Sequence, residues 1–180
     1  MRLTKGTRIN PDRQNDMNPE KLRIGIGHDT HRLVAGGPLV LGGVRIHYDQ
    51  HLDGHSDADV LLHAVTDAIL GAAGLGDIGE MFPDDLIENK DRDSIEMLQM
   101  AFARAGERGF KLINLDCIVF AERPKLSSYK LEIAESIAAA LRLDSDLVNV
   151  KAKTGERMGQ IGSEECMMAQ CIALLYQTDG

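Results

Sequence analysis

Hydrophobic and polar positions along the chain follow the period of a strand in some segments and that of a helix in others. Apolar runs with strand character are found at 22–27, 39–41, 44–46, 112–121 and 148–151. The second and third runs are joined through Gly42-Gly43, which predicts a β-hairpin. The first run leads directly into the segment HDTH, so polar side chains are expected at its end.

Helical periodicity is found at 57–73, 93–108 and 127–141. Ser56 is a candidate N-cap for the first helix, and Gly109 is expected to end the second. Residues 74–85 predict a loop, because Gly and Pro recur there. The apolar segment 165–176 stays open, since Met and Ala favour a helix whereas its length and position favour a strand.

We predict one mixed α/β (α+β) domain over residues 22–178, with a mixed β-sheet and helices packed on one face. Residues 1–21 are polar and predict a disordered extension. They have no apolar core of a secretory signal. Their basic residues raise the possibility of plastid targeting, but Asp12, Asp16 and Glu20 make it an unfavourable interpretation.

Composition excludes several classes of function. The net charge of -8 and the pI near 5.2 argue against nucleic-acid binding, which needs a basic surface. No apolar stretch reaches the roughly 18 residues of a membrane span. Three cysteines without a CxxC pair suit a reducing compartment. We therefore expect a cytoplasmic protein that binds neither nucleic acid nor membrane.

The predicted helix 57–73 is apolar on most faces, yet Asp59, His63 and Asp67 recur every fourth residue. At 100° per residue these three side chains share one face. Buried ionisable groups are costly unless something pairs them. The stripe fits a metal or catalytic site, but a wet interface or internal Asp–His pairing would also explain it.

Asp29 and His31 favour the metal interpretation. On extended backbone these two residues point to the same side, because side chains alternate along a strand. A carboxylate and an imidazole that meet a second imidazole, from His63, form a donor set suited to Zn²⁺. Three protein ligands leave a fourth position for substrate. Asp59 and Asp67 are candidates to fix the imidazole orientation.

Five segments together resemble the 2-C-methyl-D-erythritol 2,4-cyclodiphosphate synthase family. They are GIGHDTHRL (25–33), GGPLVLGGVRI (36–46), HSDADVLLHAVTDAILGAAGLGDIGEMFPD (55–84), AERPKL (121–126) and VKAKTGERMG (150–159). The resemblance implies a homotrimer with active sites between subunits. It also implies the reaction: the 2-phosphate of 4-diphosphocytidyl-2-C-methyl-D-erythritol 2-phosphate attacks the β-phosphate, and CMP leaves.

Roles are implied at the matching positions. The zinc ligands would be Asp29, His31 and His63, and Glu156 would bind Mg²⁺ or Mn²⁺ at the substrate diphosphate. His55 and Thr154 would stabilise the transition state. Implied substrate contacts are Ser56, Asp59, Asp77, Gly79, Phe82, Asp84, Ala121, Pro124, Lys125, Leu126 and Lys153. Ser56 would hold phosphate near the helix N-terminus, and the turn 121–126 would form the cytosine pocket.

One segment departs from the family pattern. Many members carry an aromatic residue and an arginine where this chain has Gln160 and Ser163. In the family those side chains face a central cavity proposed to bind isoprenoid diphosphates. With Glu164 beside them, Gln160 and Ser163 predict weak binding of such an anion.

Two other classes of function stay open at this point. A metal-dependent phosphohydrolase also uses His and Asp clusters, to activate water, and would release inorganic phosphate. A non-catalytic metal-binding or assembly protein would lose stability in His63→Ala without loss of any turnover. Taken alone, Asp77 is also an ordinary turn residue, and Glu156 and Lys125 are ordinary surface charges.

Overall fold

The computed structural model describes residues 18–83, 85–90 and 92–178. Most of the predicted extension 1–21, as well as the predicted substrate contact Asp84, lies outside the described residues. Residues Pro19–Lys21 form a single 3-10 turn that leads into the first strand.

In the described part of the chain, seven strands and five α-helices follow. The strands are β1 (Leu22–Ala35), β2 (Leu39–Leu41), β3 (Val44–Ile46), β4 (Gln50–Asp53), β5 (Phe110–Phe120), β6 (Val148–Lys153) and β7 (Cys166–Gln177). The helices are α1 (Val60–Ala73), α2 (Ile78–Met81), α3 (Ser94–Glu107), α4 (Lys130–Leu141) and α5 (Gly159–Gly162).

The main sheet has the order β4-β1-β7-β5-β6, and β2 with β3 forms a separate hairpin. β1, β7 and β5 are antiparallel neighbours, whereas β5 and β6 run parallel and are joined through α4. The arrangement is a mixed sheet with α1, α3 and α4 as its helical layer. It confirms the predicted mixed α/β domain.

Helix α1 packs against β1 and β7 at the centre of this layer, and all its residues except Asp67 and Gly71 are buried. Small side chains at Ala64, Ala68 and Ala72 face β1. A Cβ atom on Gly27 would lie 1.9 Å from the Ala64 carbonyl oxygen. One on Gly25 would lie 1.9 Å from the Ala68 oxygen. The two glycines therefore let β1 approach α1 closely.

The opposite face of the sheet is open and partly apolar. Ile24 and Ile26 of β1 are 73% and 68% exposed, and Ile172 of β7 is 48% exposed. Ile26 and Ile172 are direct cross-strand neighbours, so their side chains form one patch. Exposed apolar patches on folded domains are a common feature of interaction sites.

Several elements confirm the sequence prediction. The hairpin has the predicted bounds, and Gly42 and Gly43 both have positive φ, as a tight two-residue turn requires. The segment 165–176, for which the sequence left helix and strand undecided, is a strand. β7 lies between β1 and β5, and both neighbours form hydrogen bonds with its backbone. Helix α3 lies within the predicted 93–108, and Gly109 follows it with positive φ.

Other elements differ from the prediction. β1 continues through HDTH to Ala35, because β7 pairs with it up to Arg32 and β4 pairs with its last four residues. β4 and the short helices α2 and α5 were not predicted, since they are too short to show a period. Helix α1 begins at Val60 rather than at residue 57, and Asp59 is its N-cap instead of Ser56.

Candidate metal centre and active site

Two strand side chains and one helix side chain converge at the predicted metal site. Asp29 Oδ2 lies 2.9 Å from both His31 Nε2 and His63 Nδ1, and those two nitrogens are 3.1 Å apart. Asp29 and His31 follow Gly25 and Gly27 on the same face of β1, where the close approach of α1 brings His63 to them. The three residues could together hold one metal ion.

His31 is oriented from β4. Its Nδ1–H donates to the main-chain carbonyl of Asp53 at 2.7 Å, so Nε2 faces Asp29 and His63 and, in the neutral ring, is the nitrogen with the lone pair. A Cβ atom on Gly54 would lie 2.7 Å from the His31 ring, so only glycine fits beside it. The Asp53 carbonyl was missed in the sequence as the group that positions His31, because a main-chain carbonyl has no counterpart in the residue type.

His63 is oriented by two hydroxyl groups. Its Nε2 lies 2.9 Å from Ser56 Oγ and 3.0 Å from Ser94 Oγ. Ser94 is fully buried and was also missed. The sequence does contain a hint of its role. Asp93 and Ser94 are consecutive candidate N-caps, only one of them can cap α3, and the other is therefore available for a different contact.

The pairing of the three groups outweighs their burial. Burial pushes the pKa of Asp29 upward, but hydrogen bonds from His31 and His63 hold that pKa well below its ordinary value. Burial lowers the pKa of His31, yet the hydrogen bond and charge of Asp29 raise it overall. The cluster therefore stabilises positive charge beside Asp29, and a cation that binds there displaces protons.

The cluster opens into a pocket of about 230 Å³. Predicted site residues in its lining, besides the three ligand candidates, are His55, Ser56, Asp67, Gly79 and Phe82. Ile78, Asn89 and Met97 complete the wall and were not predicted. Two imidazoles and one carboxylate beside an open, partly polar pocket fit a catalytic Zn²⁺ site, where three protein ligands leave a position for substrate.

Asp59 is a correction to the sequence analysis. Its side chain is fully buried, and it accepts hydrogen bonds from four main-chain N–H groups, those of Gly42, Gly43, Leu61 and Leu62. It does not line the pocket, so it neither contacts substrate nor orients an imidazole there. It joins the β2–β3 turn to the start of α1 instead. Its predicted place on the helical stripe fails because α1 begins at Val60, the residue after Asp59.

Asp67 and Ser56 also differ from expectation. Asp67 lines the pocket, but its carboxylate accepts the main-chain N–H of Ile78 at 2.8 Å, and the contacts that orient His63 come from Ser56 and Ser94. Burial raises the pKa of Asp67, and the charge of Asp77 raises it further. Ser56 lies four residues before α1, whose first N–H groups are occupied by Asp59. The N–H groups of that helix terminus are therefore not available beside Ser56, and its predicted phosphate contact stays a prediction.

We expect Asp59→Asn to destabilise the fold by about 3 kcal/mol, because an amide nitrogen would face a main-chain N–H donor in the core. Urea unfolding at fixed protein concentration measures the change. Asp93→Asn is the matched control: Asp93 caps α3 with one hydrogen bond to Ile95, and Asn caps helices equally well. Equal stability of the two variants would contradict the structural role of Asp59.

The remaining predicted site residues lie at the ends of β5 and β6. The Ala121 N–H donates to the Lys153 carbonyl at 2.9 Å, which joins the turn 121–126 to the loop after β6. Ala121 and Leu126 are buried, Pro124 is half-buried, and Lys125 and Lys153 are exposed. Beyond them, the Thr154 hydroxyl donates to Glu156 Oε1 at 2.8 Å. Glu156 is exposed and has positive φ.

These residues form a second group, distinct from the metal cluster. β7 lies between β1 and β5, so β1 is two strand spacings, about 10 Å, from β5 and three, about 14 Å, from β6. None of the second group lines the pocket of Asp29, His31 and His63. Asp77 is likewise outside that lining; it is exposed, and its carboxylate caps α2 through the N–H of Glu80.

The segment that departs from the family pattern follows Gly159. Ser163 Oγ donates to Glu165 Oε1 at 2.7 Å. Gln160 lines a cavity of about 440 Å³ together with Arg32, Glu164 and Glu165. Two carboxylates against one guanidinium make this cavity unfavourable for an anion, although Ser163 is not in its lining. Weak binding of isoprenoid diphosphates stays a prediction.

Fold and site together define the class of protein: a mixed α/β domain with two imidazoles and a carboxylate gathered beside an open pocket. Residues 22–176 match the model of the YgbB family, and the chain belongs to that family. A 2-C-methyl-D-erythritol 2,4-cyclodiphosphate synthase from Laribacter hongkongensis is 53% identical over 154 residues, 86% of this chain and 95% of the relative. The resemblance stated from the sequence is thereby confirmed.

Solved structures agree. The bifunctional IspDF from Campylobacter jejuni superposes with a TM-score of 0.85 at 46% identity, over 88% of this chain and 43% of that one. This chain thus spans less than half of the bifunctional protein. A 2C-methyl-D-erythritol-2,4-cyclodiphosphate synthase in a CDP-bound form gives a TM-score of 0.79 at 36% identity, over 85% of this chain and 99% of that one.

Proposed function

We propose that this enzyme converts 4-diphosphocytidyl-2-C-methyl-D-erythritol 2-phosphate into 2-C-methyl-D-erythritol 2,4-cyclodiphosphate and CMP, a step of non-mevalonate isoprenoid synthesis. The observation that carries the proposal is that one side-chain atom each of Asp29, His31 and His63 lies within 3.1 Å of the other two, in a chain of the YgbB family. In the reaction a 2-phosphate oxygen forms a bond to the β-phosphorus. The bond from that phosphorus to the oxygen of CMP breaks.

The residues fit this chemistry because the nucleophile belongs to the substrate. The protein must fold the substrate into an attack geometry and neutralise its charge. Asp29, His31 and His63 would hold Zn²⁺, and Glu156 would hold Mg²⁺ or Mn²⁺ at the diphosphate. When bound, these cations supply charge neutralisation at the phosphate oxygens.

Within the pocket, His55 is exposed and Ser56 is half-buried, so both can donate hydrogen bonds to phosphate oxygens. Gly79 and Phe82 also line the pocket, and we place the methylerythritol end of the substrate beside them. Asp67 faces the same space and is available to a substrate hydroxyl, a role we now assign to it in place of Asp59.

The cytidine end is proposed to bind at the second group of residues. The main chain of the turn 121–126, between buried Ala121 and Leu126, offers hydrogen-bonding groups for the base, and the structurally similar synthase solved in a CDP-bound form supports a cytidine ligand. Exposed Lys125 and Lys153, together with Thr154, would face the diphosphate. Because β7 separates this group from the metal cluster, we propose that one site combines the metal cluster of one subunit with this group of a neighbour.

That arrangement requires an oligomer, and we propose a homotrimer whose subunits bury the open sheet face around a shared axis. Ile24, Ile26 and Ile172 on that face are the apolar surface that such packing would cover. We place the enzyme in the cytoplasm, in keeping with three free cysteines. None of the described helices is both long and apolar enough to cross a bilayer.

We expect Ile26→Lys to dissociate the trimer, because a charge would be buried among apolar side chains. Sedimentation equilibrium would then give the monomer mass, and activity would fall with the loss of shared sites. Leu131→Lys is the matched control, since Leu131 is 69% exposed but lies on α4, in the helical layer. A trimer that persists in Ile26→Lys would contradict the proposed packing.

The reaction itself is tested by incubating the zinc-loaded protein with the cytidyl substrate and Mg²⁺ and following products by phosphorus NMR. The synthase yields CMP and the cyclic diphosphate in equal amounts, without incorporation of solvent oxygen. A phosphohydrolase would instead release inorganic phosphate and take up ¹⁸O from labelled water. Failure of a folded, zinc-loaded sample to release CMP would overturn the proposed function.

A further inference from the structure

The groups that contact Nε2 of the His63 ring determine whether its other nitrogen, Nδ1, can bind a metal. Nδ1 faces Asp29 and His31, whereas Nε2 faces the hydroxyls of Ser56 and Ser94. A neutral imidazole binds a metal only through the nitrogen without a proton. A hydroxyl both donates and accepts, so the two serine contacts alone do not fix which nitrogen holds the proton.

Asp57 fixes the direction of one of these contacts. The Ser94 hydroxyl donates to Asp57 Oδ1 in a short hydrogen bond, and the Ser94 main-chain N–H donates to Asp57 Oδ2 at 3.2 Å. A carboxylate only accepts hydrogen bonds, so the hydroxyl proton of Ser94 is committed to Asp57. Toward His63, the Ser94 oxygen can then only accept.

We propose that Asp57 and Ser94 are positioning residues that hold the proton of His63 on Nε2, and so present the Nδ1 lone pair at the metal site. The inference rests on the proposed function, because it presupposes a metal among Asp29, His31 and His63. It assigns a purpose to a hydroxyl that is fully buried and does not line the pocket. Carboxylates that orient a ligating histidine in this way tune metal affinity.

Ser56 gains a distinct role from the same arrangement. Its oxygen accepts the Ala58 main-chain N–H at 3.1 Å, and the residue lines the pocket. With Ser94 available to accept the Nε2 proton, the hydroxyl proton of Ser56 is free to turn toward a phosphate oxygen in the pocket. One serine thus supports the metal ligand, and the other faces the substrate.

The test compares Ser94→Ala and Asp57→Asn with Asp93→Ala. In Asp57→Asn the amide can donate to Ser94, which frees the Ser94 hydroxyl to donate to Nε2 and favours the wrong tautomer. We expect both variants to bind zinc about 10- to 100-fold more weakly than the original chain, by competition with a chromophoric chelator. Asp93→Ala removes the adjacent N-cap of α3, so it should lose thermal stability but keep its zinc affinity.

A second measurement does not depend on affinity. In the zinc-loaded protein labelled with ¹⁵N-histidine, the His63 Nε2–H should exchange slowly with water, and Ser94→Ala should make that exchange fast. Unchanged zinc affinity in both variants would overturn the inference, as would an equal loss of affinity in Asp93→Ala. A wild-type protein that binds no zinc would overturn the proposed metal site and this inference together. Zinc binding without CMP release would overturn the proposed function alone.

Discussion

In His63→Ala we expect the formation of CMP to fall by about 10³-fold, equivalent to about 4 kcal/mol of transition-state stabilisation. The substitution removes one of three converging ligand atoms and leaves Asp29 and His31 on one strand. Two ligands from one strand do not enclose a cation, so the variant should also lose tightly bound zinc. Phosphorus NMR of the products and metal analysis after dialysis measure the two effects.

His47→Ala is the control for this prediction. His47 is exposed, and it lies just after β3, outside the lining of the pocket. It should therefore keep both metal and activity. A His63→Ala protein that stays active while it loses only stability would support a non-catalytic role for the metal cluster, and would contradict the proposed site.

In Gly27→Ala we expect a loss of about 3 kcal/mol in the free energy of unfolding, at the upper end of the cost of overpacking. The added Cβ would lie 1.9 Å from the Ala64 carbonyl oxygen and 2.7 Å from the Ala68 nitrogen. These are backbone atoms of a buried helix, so the strand must move away as a whole. Because β1 also bears Asp29 and His31, metal affinity should fall as well.

Gly71→Ala is the same substitution with the opposite expected sign. Gly71 is on the exposed side of α1, and among the described residues no atom beyond its chain neighbours and the adjacent helix backbone lies within 4 Å of the Cβ it would gain. Alanine should stabilise the helix there by about 0.5–1 kcal/mol. Urea unfolding of both variants at one protein concentration measures the difference. Equal effects of the two substitutions would show that the contact between β1 and α1 is looser than the structure indicates.

The site was predicted best where its signal is periodic. Asp29 and His31 are two apart on a strand, and the structure puts them on one face, as that spacing requires. His63 was predicted from a stripe of polar residues in a buried helix. The prediction for Asp59, in the same stripe, was wrong, because periodicity does not show whether a residue at the start of a helix lies in its first turn or caps it.

Other parts of the site have no periodic signal. Ser94 and Asp57 are 37 residues apart in sequence and meet only because α3 packs beside the loop before α1. The Asp53 carbonyl reaches His31 because β4 pairs with the end of β1. Such contacts depend on the packing of whole elements, which local residue patterns do not specify.

The sequence by itself determined the class of the fold, the hairpin at Gly42-Gly43, the family, and the donor set of the metal site. These depend on local periodicity, turn chemistry and residue type, all of which are properties of neighbouring residues. Only the tertiary structure decided that residues 166–177 form a central strand, because nearly every residue there is apolar, so the sequence shows neither the period of a strand nor that of a helix, and pairing with β1 and β5 decides between them. It also decided that Asp59 supports the fold and that buried Ser94 faces His63, since hydrogen-bond partners depend on which elements pack together.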